Sequence, residues 1–205
     1  MSQASDKSIQ MMKKSIYVIV ICIAVTACKQ HGPDSVSQAD SANMTRDSNE
    51  NRSPATPPYE ISGIDAKFAA KAAAGGMEEV ELGMLALARS NTPGVKTLAD
   101  MMQKDHSKAN TELKAIASAR HIVLPDRLSN DAAALKKSLS SYNDKEFDKA
   151  YVKAMVKDHK NDISEFTDAL KVVKYPEMTA FIKKTIPVLQ MHLQAAEKLE
   201  DQMVQ

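Results

Sequence analysis

From Lys67 onward, apolar residues recur at spacings of three and four rather than two, in a background rich in Ala, Met, Leu, Lys and Glu. That period places the apolar residues on one face of an α-helix, so the whole region reads as helical. A first helix is expected from about Asp65 to Ser90, ending at Asn91-Thr92-Pro93-Gly94. There Thr92 can cap a second helix that has Pro93 at its first position. The second helix carries Leu98, Met102, Ala109, Leu113 and Ile116 inward to about His121, and Pro125 bars its continuation. His121, in the last turn, suits the negative helix end and needs no other role.

A third helix is expected from about Asp144 to Lys174, with Phe147, Tyr151, Met155, Ile163, Phe166 and Leu170 inward. The fourth starts near Pro176 and carries Phe181, Ile182, Ile186, Leu189, Leu193 and Ala196, with Pro187 interrupting it one turn before His192. Short links join the first helix to the second and the third to the fourth, so each pair is antiparallel. The link from Ile122 to Asn143, with a short helix over Asn130 to Ser141, is long enough to run the length of a bundle. Helices two and three can then be parallel. The expected fold class is all-α, a ferritin-like four-helix bundle with a long crossover between helices 2 and 3.

The segment before this region changes the picture. Lys13-Lys14 followed by SIYVIVICIAVTA is a basic start and an apolar stretch well short of the roughly twenty residues of a membrane span. It reads as a secretory signal, for which Met12 is a more natural start than Met1. Val25-Thr26-Ala27-Cys28 resembles a bacterial lipobox, which makes Cys28 the lipidation site and the membrane a partner through that anchor. A plain cleaved signal and a short buried helix are the alternatives. Lys29 follows the cysteine where an Asp would imply inner-membrane retention. The expected location is therefore the cell envelope, at the outer membrane facing the periplasm if the host is Gram-negative.

Removing the signal removes Cys22, and lipid blocks Cys28. The mature chain then has no thiol for disulfides, zinc-cysteine sites or thiol catalysis. Residues 29–59 are polar and close on Pro54, Pro57 and Pro58, which reads as a disordered tether containing His31. The expected organisation is thus a signal over 1–28, a tether over 29–59 and a helical bundle over 60–205. Charge is nearly balanced, with a formal net of +1. No basic stripe with interleaved aromatics is present, which argues against nucleic acid as a partner.

Two segments carry candidate chemistry. Met102-Gln103-Lys104-Asp105-His106 and Met155-Val156-Lys157-Asp158-His159 repeat one pattern, each followed after five intervening residues by Glu112-Leu113 or Glu165-Phe166. Both imidazoles fall on or beside the apolar stripe, and Asp105, Glu112, Asp158 and Glu165 flank them. His192 on the fourth helix and Glu81 on the first lie at comparable depth. Together, Glu81, His106, His159 and His192 form a candidate metal site. Asp105, Asp158, Glu112 and Glu165 are supporting or alternative ligands, and the cofactor would be a transition metal ion such as Fe, Zn, Cu or Mn. The competing reading has Asp-His pairs that only fix register between helices. The methionines read as core filling rather than as cuprous-copper ligands.

KFAAKAAAGGMEEVELGMLAL, VKTLADMMQKDHSKANTELKAIA, FDKAYVKAMVKDHKNDISEF and IPVLQMHLQAAEKL resemble the bacterial secreted, ferritin-like family catalogued as domain of unknown function 4142. The resemblance implies an extracytoplasmic helical bundle behind a signal or lipid anchor. It brings candidate residues Glu81, Asp105, His106, Asp158, His159 and His192, and no established activity. Di-iron relatives place a glutamate three residues before a histidine, where this chain has Gln103, Val156 and Leu189. The leading expectation is an envelope-anchored bundle that binds a transition metal, with no catalytic residue assigned. The alternatives are a structural or interaction module with an envelope protein as partner and, more weakly, a metal-dependent oxidase.

Overall fold

Serine and asparagine caps set where the helices begin. The Ser62 hydroxyl accepts from the Asp65 amide, Ser129 from Ala132 and Asn143 from Glu146, each satisfying a backbone donor that its helix leaves free. In a computed structural model that describes residues 32–50 and 62–204, the helices are α1 Ser35–Glu50, α2 Gly63–Arg89, α3 Pro93–Ala119, α4 Asn130–Ser140, α5 Asp144–Ala169 and α6 Pro176–Val204. The described residues hold no strand, and none of their helices is long and apolar enough to cross a membrane.

Several ends differ from expectation. Thr92 precedes α3 without a side-chain cap bond and instead donates its hydroxyl to Asp148 on α5. His121 lies just past the end of α3 with φ 56°, in the left-handed region, while the Ile122 amide turns back to the Ala117 carbonyl. α5 stops at Ala169 rather than near Lys174, because the buried Asp65 carboxylate draws the Lys174 and Tyr175 amides into the turn before α6. α6 runs on through Pro187, forgoing one backbone donor rather than ending there.

Two apolar clusters fill the interior. One joins Phe68, Leu113, Phe166, Phe181 and Ile182; the other joins Leu82, Met102, Phe147, Tyr151, Met155 and Leu199. The first takes the start of α2 and α6 and the end of α3 and α5, and the second takes the opposite ends. α3 and α5 therefore run in one direction and α2 and α6 in the other. α4 lies along the crossover, placing Leu139 in the second cluster and Lys136 on Glu81 of α2. Gly83 permits close contact of α2 with α3, since a Cβ there would stand 3.0 Å from the Ala99 carbonyl oxygen.

The expectation of a disordered tether over 29–59 is corrected in part by α1. Its sequence lacks an apolar stripe, yet Ser35, Ala39 and Asn43 are buried. Polar bonds hold it. The Asn43 side chain both donates to the Val123 carbonyl and accepts from its amide, at 3.0 and 2.7 Å. Asp34 caps α1 through Val36 and also accepts from the Asn130 amide at the start of α4. Apolar content alone misses a helix fixed by side chains bonding a distant backbone. Cys28, His31 and the signal lie outside the described residues.

Candidate metal centre

Between the two apolar clusters, each long helix places a polar residue inward. These are Glu79 on α2, His106 on α3, His159 on α5 and His192 on α6, exposed by 1, 5, 0 and 0% respectively. The three imidazole rings lie 5.1 to 5.5 Å apart, centroid to centroid. Each offers a nitrogen within 4.8 Å of the others.

The outer atoms of this group are fixed. His159 Nδ1 is 3.0 Å from the Met155 carbonyl oxygen one turn earlier, and a carbonyl only accepts, so Nδ1 carries the proton. His192 Nε2 is 3.0 Å from Asp105 Oδ2, a charge-assisted donor contact. His106 Nδ1 lies 2.6 Å from Glu79 Oε2, so these two groups share a proton, while His106 Nε2 is buried with no hydrogen-bond partner among the described residues.

Burial sets the charge state. Desolvation, then the Asp158 and Asp105 charges opposing it, brings the His106 pKa down to about 4. Desolvation with the neighbouring His106 and His192 takes His159 down to about 3. His192 is also lowered, mainly by desolvation, against the raising effect of Asp105. The rings are therefore neutral near pH 7, the form in which imidazole binds metal.

A group of carboxylates adjoins the rings. Glu79, Asp158 and Asp162 each offer an oxygen within 4.8 Å of the other two. Desolvation raises all three pKa values, joined by the Asp158 charge for Glu79, by the Glu79 and Asp158 charges for Asp162, and, against the lowering effect of His106 and Lys157, by the Glu165 charge for Asp158. Nearby Glu78 is raised to about 7, first by burial and then by the Asp158 and Asp131 charges.

His106, His159 and His192 thus converge as expected, with Asp105 and Asp158 beside them. Glu81 does not. It is a half-exposed ion-pair partner of Lys136, and the inward carboxylate is Glu79. Glu112 and Glu165 are also outside the site, paired on the surface with Lys184 and Lys71. Helix phase explains the exchange, since Glu79 continues the buried positions Ala69, Ala73 and Gly76 toward Leu82 and Ala86, whereas Glu81 is turned away. Asp162 was missed although it falls on the stripe Met155, His159, Asp162, Phe166, whose four-three-four spacing is legible in the sequence.

The fold and site together define an all-α bundle with an imidazole-carboxylate core. The chain belongs to the family described as domain of unknown function DUF4142, whose model matches residues 50–199. No curated protein matches it. Among solved structures, it is similar to a DUF305 fragment from Deinococcus radiodurans, with TM-score 0.61 and 16% identity over 73% of this chain and 99% of that one. It is also similar to CopM in the Cu(II)-bound form, with TM-score 0.58 and 14% identity over 67% of this chain and 96% of that one. At these identities the likeness is one of fold.

Proposed function

We propose that the chain is a lipid-anchored, envelope-facing bundle of ferritin-like arrangement that binds a transition metal ion on His106, His159 and His192. The observation that carries this is the 3.3 Å approach of His159 Nε2 to His192 Nδ1. With the outer nitrogens donating to Met155 and Asp105, these inner nitrogens face each other as lone pairs, which repel unless a proton or a metal cation stands between them. Two nitrogens bound tetrahedrally at about 2.0–2.1 Å from one zinc ion stand roughly 3.3–3.4 Å apart. The partners of the outer atoms also match the usual support of metal-bound histidine, a carbonyl or carboxylate on the far nitrogen.

Imidazole suits zinc, copper, iron and manganese to different degrees, and the copper-bound state of CopM on a similar fold places copper among the ions to test. The envelope location rests on the lipobox-like Val25-Thr26-Ala27-Cys28. The deciding experiment is elemental analysis of the full chain, purified without chelator or histidine tag, beside a His106→Ala/His159→Ala variant. Stoichiometric metal in the wild type alone is the expected result. A wild type without metal, and without thermal stabilisation by added iron, zinc, copper or manganese, would leave the histidines as struts between helices.

A further inference from the structure

The carboxylates beside the imidazoles are not accounted for by one ion on three histidines. Glu79 is 1% exposed and touches both groups, with Oε2 at 2.6 Å from His106 Nδ1 and Oε1 at 3.4 Å from His159 Nδ1. Glu79 Oε1 and Asp158 Oδ2 are buried and receive no hydrogen bond from any donor among the described residues. Glu79 and Asp162 nevertheless lie within hydrogen-bonding reach of each other, which two carboxylates sustain only with a proton or a cation between them. A cavity of about 20 Å³ has Glu79, Asp162 and His106 among its lining, together with Gly75, Gly76 and apolar side chains such as Phe166 and Phe181. That is room for a single water or ion. Asp162, which lines the cavity, is only partly buried, as is Asp158 beside it.

We propose that Glu79, Asp158 and Asp162 hold a second divalent cation beside the imidazole site, with Glu79 shared between the two. This rests on the imidazole reading for its neighbour but not for its own ligands. The oxygen-only set selects a harder ion than the nitrogen set, manganese or ferrous iron rather than copper or zinc.

The test titrates the demetallated full chain with Mn²⁺, before and after loading with Zn²⁺, following free Mn²⁺ by its electron paramagnetic resonance signal. The wild type is expected to take one Mn²⁺ in addition to one Zn²⁺. Asp158→Asn/Asp162→Asn, a near-isosteric change that removes repulsion, should lose the Mn²⁺ and keep the Zn²⁺. His159→Ala/His192→Ala should lose the Zn²⁺ and keep the Mn²⁺. A wild type that takes Zn²⁺ but no Mn²⁺, or an Asn variant that binds Mn²⁺ like the wild type, overturns the second site and leaves the first standing. Mn²⁺ binding without Zn²⁺ or Cu²⁺ binding does the reverse. Thermal melts of each variant show that it is folded.

Discussion

His159 Nε2 and His192 Nδ1 stand 3.3 Å apart in the centre of the bundle, on two helices that meet side by side. Their far nitrogens are both spoken for, so the short gap is a meeting of two acceptors. Replacing either ring by alanine removes one side of it. His159→Ala and His192→Ala are each expected to abolish stabilisation by added metal. In the wild type, an ion at a hundredfold excess over its Kd should contribute about 2.7 kcal/mol, or roughly 5–10 °C in Tm. A melt with and without metal checks this.

Asp105 touches the imidazole and not the ion position, which gives it a different signature. Asp105→Asn keeps the shape and an acceptor oxygen but makes His192 a poorer donor of electrons. The expected outcome is metal affinity weaker by about 10–100-fold with the number of bound ions unchanged. Competition against a chelator of known affinity measures it, and a change in stoichiometry would contradict the assigned role.

The acid Glu78 gives a pH dependence with a definite sign. Its pKa rises from 4.5 to about 7 in the folded chain, through desolvation and then the charges of Asp158 and Asp131. Folded protein therefore holds this proton more tightly than unfolded protein between those values. Its contribution is fully present below about pH 4.5 and is lost as pH rises through 7. Glu78→Gln should gain stability relative to the wild type as pH is raised from 5 to 8 in the presence of chelator. A Tm difference that is flat or falls over that range would contradict the shift.

α1 is held to the crossover through Asn43. Asn43→Ala leaves the Val123 amide and carbonyl without their partner, at a cost of about 1–3 kcal/mol. The loss should be local. Hydrogen exchange is expected to accelerate in α1 and around Val123, while α2, α3, α5 and α6 keep their protection and metal binding is unchanged.

The period of apolar residues, read from the chain alone, determined the four long helices, the short helix in the crossover and the inward direction of His106, His159 and His192. Those features depend on local spacing and on caps such as Ser129 and Asn143, which act within one turn. Short links and one long link also implied that α3 and α5 run together. The sequence could not choose between Glu79 and Glu81, because with three acids and three glycines clustered over residues 75–83 the phase of α2 is settled by which face meets Ala99 and Gln103 of α3. It could not find α1, whose docking consists of polar bonds to residues far along the chain. Above all, only the packing of four helices brought three neutral imidazoles and three carboxylates to one level of the core. Lone pairs facing across 3.3 Å, and carboxylates without donors, are relations between helices, and no spacing within one helix encodes them.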